Sequence, residues 1–268
     1  MVQEQLNKNL PVFILGPCGI ESEEVVMKTA DFVCKQRTKH ADRAVFLFKS
    51  SFMKDNRTSS DSWSGPGIEA GLRILEKAGI EFDLPLVTDI HTADQAAPCA
   101  EVCHMLQIPA FLCRQTSLLN AAGKTGIAVN VKKGQFMAPW NMKGAVDKLK
   151  AAGCPLVLLT ERGSFFGYGD LVVDMRSLTS MSSLCDGVIM DLTHSMQKPG
   201  AGGEYTEGDR TFVKQMARAS AAWGIRGMFL EVHPNPPCAL SDSAVMLNFA
   251  ETEAVLDEAL LHWEGPPL

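Results

Sequence analysis

Groups that bind anions are packed into FLFKSSFMKDNRTSS, residues 46–60, where an apolar run gives way to Lys49, Ser51, Lys54, Asn56, Arg57 and Thr58. In a chain of net charge −6, such a cluster fits local capture of a small anion and argues against a broad nucleic-acid surface. Lys132 in NVKKGQF and Arg162 in TERG raise the number of cations above what one phosphate needs. Two phosphate-bearing substrates in one pocket are therefore expected. The chain has no GxxxxGK[ST] loop and no GxGxxG after a strand, which disfavours nucleoside triphosphates and dinucleotides. A second set, Cys18, His194, Glu231 and Asp242, offers a thiol, an imidazole and two carboxylates. These are donors for a divalent transition metal such as Zn²⁺, Fe²⁺ or Mn²⁺. His91 and His233 stand near strand ends as competing ligands, and Cys18 as a small core residue is the plainer alternative.

Such groups need a scaffold that brings distant segments together. Short apolar runs occur at VFILGPC, AVFLFKS, PLVTDIH, MLQIPAFL, IAVNVKK, PLVLLTERG, GVIMDLTH and GMFLEVHP, with amphipathic stretches such as EEVVMKTADFVCKQ, GIEAGLRILEKAG and MKGAVDKLKAAG between them. This alternation predicts an α/β fold: a parallel eight-stranded (β/α)8 TIM barrel occupying residues 1–268 as a single catalytic domain. The first ten residues are expected to form a short N-terminal cap. The reactive groups then fall where barrel active sites are built, at the C-terminal strand ends. Cys18, Lys49, Asp89, Lys132, Arg162, His194 and Glu231 close seven runs, and Gln107 lies within the fourth. Two irregular segments, SSFMKDNRTSSDSWSGPG and SMQKPGAGGEYTEGD, are expected to be ligand loops.

Composition narrows the setting. A hydrophobic share of 46% with no apolar run near the length of a membrane span, and no basic-then-apolar leader, predicts a cytoplasmic protein with no membrane partner. The eight cysteines sit mostly within apolar runs and are expected to be free thiols, the CAEVC pair Cys99 and Cys103 included.

Taken together, GPCGIES, FKSSFMKDNRTS, TDIH, QIPAFLCRQT, AAGKTGIAVNVKKGQFMAPW, TERGSFFGYGDLVVDMRSL, DLTHSMQ and FLEVHP resemble the successive signatures of the 3-deoxy-D-manno-octulosonate 8-phosphate synthases, from about residue 12 to about residue 245. The resemblance implies condensation of phosphoenolpyruvate with D-arabinose 5-phosphate and water, releasing inorganic phosphate, in a homotetramer that serves lipopolysaccharide core-sugar synthesis. It implies that Lys49, Ser51, Lys54, Gln107, Lys132 and Arg162 surround phosphoenolpyruvate. Asn56, Arg57 and Thr58 would grip the sugar phosphate, and Asp89 would reach its hydroxyls. Cys rather than Asn at position 18, with His194, Glu231 and Asp242, places the resemblance in the metal-dependent branch; His194 and Asp242 are also expected near the chemistry. The chain departs from the usual pattern at Thr58-Ser59, where Ser-Ser is customary, in the loose PGAGGEYTEGD glycine motif, and in SAVMLNF after Asp242. The rival readings are the sister synthase acting on erythrose 4-phosphate, whose loop typically reads Lys-Pro-Arg-Thr-Ser, and a barrel that binds sugar phosphates without turnover. A Schiff base on Lys49 or Lys132 is the chemical alternative.

Overall fold

The computed structural model describes Leu6 and residues 9–55, 63–202 and 205–264. Its strands are β1 (Val12–Gly16), β2 (Val45–Lys49), β3 (Leu86–Asp89), β4 (Met105–Ile108), β5 (Ala128–Lys132), β6 (Val157–Glu161), a hairpin of β7 (Ser164–Gly167) and β8 (Asp170–Val172), β9 (Gly187–Asp191), a second hairpin of β10 (Gln197–Gly202) and β11 (Tyr205–Gly208), and β12 (Gly227–Glu231). Eight of them close into a parallel barrel in the order β1-β12-β9-β6-β5-β4-β3-β2. The helices α1 (Glu23–Lys39), α2 (Ile68–Phe82), α3 (Ala96–Val102), α4 (Thr116–Lys124), α5 (Lys143–Ala151), α6 (Arg176–Ser182), α7 (Val213–Ala222) and α8 (Phe249–Leu261) alternate with the barrel strands. The expected TIM barrel is thus the observed one.

Alternation along each strand assigns its side chains to two cores. Val12, Ile14, Val45, Leu47, Val87, Met105, Ala128, Leu158, Ile189 and Phe229 fill the barrel interior as one cluster. Their strand neighbours, including Phe13, Leu15, Phe46, Phe48, Leu106, Val129, Val131 and Leu159, face the helices in the larger outer cluster. Local signals fix the helix ends. Ser22 caps α1 by accepting from Val25 N at 3.2 Å, with Glu23 and Glu24 in the first turn and Lys39 in the last. A capping box of Asn248 and Glu251 starts α8. Leu6 and Leu10 pack onto the interior cluster from the side where the strands begin, and the Leu6 carbonyl accepts from Arg226; the rest of the expected cap, residues 1–5, 7 and 8, lies outside the described residues.

The segment after the seventh barrel strand, expected to be irregular, forms the antiparallel β10–β11 hairpin, with Gln197 opposite Gly208. A backbone ladder asks nothing of side-chain type, so a glycine-rich run can supply it. At Gly208 any Cβ would lie 2.0 Å from Val245 Cγ1, so the bare residue lets the hairpin lie against the loop that follows β12. The β7–β8 hairpin was likewise not among the expected strands.

Candidate active site

The parity that fills the barrel with aliphatic groups continues upward into a polar layer. Lys49, Asp89, Gln107, Asn130, Lys132, Thr160, Asp191 and Glu231 each follow an interior position by two residues or four, and all are buried. In register, Asp89 lies beside Gln107 and Gln107 beside Asn130, whose amide donates to Gln107 Oε1 at 3.3 Å. Above them opens a cavity of about 590 Å³ lined by Lys49, Lys54, Asp89, Gln107, Lys132, Arg162, His194, Glu231 and Asp242. That volume suits one or two small metabolites.

Each cation of the cavity is held by its surroundings. Lys132 Nζ donates to Asp191 Oδ2 at 2.7 Å and lies over the Phe229 ring, 3.7 Å from its centre. Burial draws the Lys132 pKa down against the pull of Asp191. Lys49 Nζ reaches Ser51 Oγ at 2.8 Å and stands 3.6 Å from Asp89 Oδ1, and Ser51 in turn donates to Asp89. Burial alone would raise the Asp89 carboxyl, but the Lys49 ammonium, His91 and the Lys54 charge together override it and hold Asp89 well below the usual range. Lys54 lies 4.0 Å from Glu231 Oε1. Burial would lower its pKa, yet Cys18, Glu231, Asp89 and Asp242 keep it above the ordinary lysine value. Arg162 Nη2 donates to Gln197 Oε1 at 2.7 Å, while its buried Nη1 has no hydrogen-bond partner among the described residues. A buried guanidinium with a spare donor is suited to receive an anion.

On the β1–β12 side, atoms of Cys18, Glu231 and Asp242 able to bind a metal lie within 4.8 Å of one another. The Cys18 thiol donates to Asp242 Oδ2 at 3.0 Å, and burial followed by the Glu231 charge pushes its pKa well up. Burial acts upward on Asp242 too, but His194, Lys54 and hydrogen bonds from Cys18 and Ser241 hold it at about 2. Both Glu231 oxygens are buried without a hydrogen-bond partner among the described residues, which a cation in the thiol proton's place would remedy. The donor set therefore fits a borderline-soft divalent metal. His194 is not part of that trio, but its Nε2 stands 3.6 Å from Glu231 Oε1. Its Nδ1 lies 2.8 Å from Asp191 Oδ2, and a proton there leaves the Nε2 lone pair on the Glu231 side. Asp242 adopts φ 51°, a left-handed backbone that Asp tolerates better than most non-glycine residues.

Of the expected residues, Cys18 and Ser51 lie behind Lys49, whose ammonium touches the Cys18 carbonyl at 3.3 Å and Ser51 Oγ. Asn56, Arg57 and Thr58 lie outside the described residues. His91 Nε2 faces Asp89 at 3.4 Å and His233 faces Glu21, so neither competes within the Cys18 cluster. Sequence reasoning missed Asp191, which joins Lys132 to His194 and also accepts from Thr193 N and His194 N. The last inward position of GVIMD was the signal for it.

Also missed was a buried ion pair facing outward from the same strands. Lys133 Nζ stands 3.3 Å from Glu161 Oε1, and Glu161 also accepts from Gly163 N at 2.7 Å and Ser177 Oγ at 2.6 Å. The pair joins the backbones that carry Lys132 and Arg162. Removing one partner strands a buried charge, so Lys133→Met should lower the unfolding free energy by about 3–5 kcal/mol, read from the urea midpoint. An unchanged midpoint would show that the pair adds nothing.

A sequence model of the DAHP synthetase I family matches residues 5–261. The chain belongs to the DAHP synthetase I family. Within this family the chain is similar to proteins named 2-dehydro-3-deoxyphosphooctonate aldolase. The Synechococcus sp. protein is 53% identical over 247 residues, covering 91% of this chain and 86% of the relative. The protein of Trichlorobacter lovleyi is 48% identical, covering 92% and 90%, and that of Rickettsia canadensis 48%, covering 94% and 92%. The chain is therefore an enzyme, with a cavity sized for small molecules.

Proposed function

We propose that the chain is a 3-deoxy-D-manno-octulosonate 8-phosphate synthase, condensing phosphoenolpyruvate with D-arabinose 5-phosphate and water and releasing inorganic phosphate. The relatives' shared name supports this reading. The observation that carries it is the cationic wall: Lys132 ending β5 and Arg162 just beyond β6, both buried, with Arg162 Nη1 unspent.

In the reaction the enol carbon of phosphoenolpyruvate bonds to the sugar aldehyde, water adds to the adjacent carbon, and phosphate departs from it. The protein supplies no covalent nucleophile. Lys132 and Arg162 would bind the phosphate and carboxylate of phosphoenolpyruvate, with Lys49 and Lys54 alongside and Gln107 setting its plane. Holding two anions together in a cavity is the costly step, and these fixed charges offset it. Asp89, anchored by Ser51 and Lys49, would accept from sugar hydroxyls, and Asn56, Arg57 and Thr58 would take the sugar phosphate. Asp191 holds the His194 ring through Nδ1. Cys18, His194, Glu231 and Asp242 would hold the divalent metal, Zn²⁺, Fe²⁺ or Mn²⁺. A bound ion would supply Lewis-acid polarisation of an oxygen beside the reacting carbons. The reading extends to a homotetramer working in the cytoplasm.

The name of the matching family favours a second reading, with erythrose 4-phosphate as the acceptor. Phosphoenolpyruvate consumption by metal-loaded protein, with arabinose 5-phosphate and erythrose 4-phosphate in parallel, decides between them. Strong preference for the pentose phosphate is expected. Preference for erythrose 4-phosphate supports the sister reaction, and no consumption with either leaves a barrel that only binds.

A further inference from the structure

Two buried groups outside the cavity lining join the loops that carry candidate metal donors. Glu21 follows Cys18 by three residues in the loop between β1 and α1. His233 lies two residues beyond Glu231, at the start of the long connection that reaches Asp242. Their side chains are 7% and 4% exposed, and His233 Nε2 faces Glu21 Oε2 across 3.4 Å. His233 Nδ1 accepts from Asn235 N at 3.0 Å, so in a neutral ring the imidazole proton is on Nε2, a buried atom that makes no hydrogen bond among the described residues and meets Glu21 Oε2 only at that 3.4 Å polar contact. The other Glu21 oxygen accepts from Leu240 N at 2.8 Å, a contact between residues 219 apart in sequence and only two positions before Asp242.

Glu21 therefore spans the two ends of the loop that follows β12. One oxygen faces His233 at its start and the other accepts from Leu240 just before the ligand. The loop is also anchored by side chains, with Gln197 Nε2 donating to Asp242 Oδ1 at 2.9 Å and Arg210 Nη1 to Met246 O at 2.7 Å, and by backbone pairs. His233 N donates to Leu247 O at 3.0 Å, and Val232 N donates to Gly16 O at 2.8 Å, which ties β12 to the same β1 loop. Beside this strut, Cys18 Sγ and Asp242 Oδ2 stand 3.0 Å apart, and Asp242 is held at φ 51°.

We infer that the Glu21–His233 pair positions the metal site, holding the Cys18 loop and the Asp242 loop at the separation that lets both donors reach one cation. The inference rests on the metal reading given under Proposed function. Glu21 and His233 touch neither substrate nor metal and act only through the loops they join. The joint is at Glu21, because one oxygen accepts from Leu240 N at 2.8 Å and the other faces His233 Nε2 at 3.4 Å. In Glu21→Gln, whichever way the amide is turned, an NH₂ group meets one of those donors, so one of the two contacts is lost with no change of size.

The test is Co²⁺ titration of the metal-stripped full chain, read by the thiolate-to-cobalt absorption band. Loss of a group that orients metal ligands weakens binding about 10–100-fold. Glu21→Gln and His233→Ala should each raise the Co²⁺ dissociation constant by about that factor and lower the band at saturation. His233→Gln, which keeps an N–H able to reach Glu21, should bind close to wild type. Wild-type affinity and an unaltered band in Glu21→Gln overturn the inference, and that variant decides alone should His233→Ala fail to fold. Equal weakening in His233→Gln also overturns it, because a polar contact from position 233 to Glu21 would then not be what matters. A wild-type protein that takes up no Co²⁺ overturns the metal reading itself, and the inference with it.

Discussion

Lys132→Met is expected to lower kcat/KM for phosphoenolpyruvate by about 100- to 1,000-fold, the range for removal of one preorganised electrostatic group. Lys132 is the inward end of β5, its ammonium sits over the face of Phe229, and Asp191 fixes it at 2.7 Å. Breaking this buried pair also costs stability, as at Lys133, so the variant is assayed well below its unfolding midpoint. Asp191 keeps hydrogen bonds from Thr193 N and His194 N and its contact with His194 Nδ1, so its carboxylate is not left bare. Steady-state kinetics then separates two roles. A rise in KM alone means that Lys132 grips the substrate and transition state equally, whereas a fall in kcat places its charge where negative charge develops. A loss of less than about tenfold would remove Lys132 from the reacting site.

Stripping divalent cations with a chelator is expected to cut phosphoenolpyruvate consumption by about 100-fold or more, since a Lewis acid at the reacting centre is worth several kcal/mol. Adding back Zn²⁺, Fe²⁺ or Mn²⁺ should restore it. The grounds are the Cys18, Glu231 and Asp242 donors within 4.8 Å of one another and the two Glu231 oxygens without hydrogen bonds among the described residues. Cys18→Ala should lose bound metal in elemental analysis along with activity. Protein shown to be metal-free yet turning over at the wild-type rate would sink the assignment.

The barrel was legible because near-continuous apolar strands bounded by polar ends leave few architectures, and the C-terminal ends named many of the polar side chains that line the cavity. Lys49, Asp89, Lys132 and Glu231 are indeed final strand residues. Asp191 escaped notice because His194, three residues later, drew attention to the loop, although Asp191 holds the inward strand-end position. The Lys133–Glu161 pair escaped for the opposite reason. Each is the outward neighbour of a residue assigned to the site, and the sequence alone does not tell a solvated charge from one buried under helices. The strut from Glu21 to Leu240 joins positions 219 residues apart, and no local period reports such a contact. Position 18 could be singled out by type, but its distance to Asp242 needed the closed ring.

That ring carries one further consequence. In the closed order β1-β12-β9-β6-β5-β4-β3-β2, β5, which bears Lys132, stands diametrically across from β1, beyond which Cys18 lies. The top inward position of β1 is Gly16, so that spoke brings no side chain of its own to the layer where its neighbours present Glu231 and Lys49. The side chains nevertheless converge: Lys132 Nζ reaches over the Phe229 ring of β12 and lies 3.3 Å from His194 Nδ1, whose other nitrogen stands 3.6 Å from Glu231 Oε1. A lysine rooted opposite the thiol loop therefore spans the barrel mouth, and the ring fixes the diameter that its side chain must cross. Shortening that arm while keeping its charge would withdraw the ammonium from the carboxylates without moving a strand.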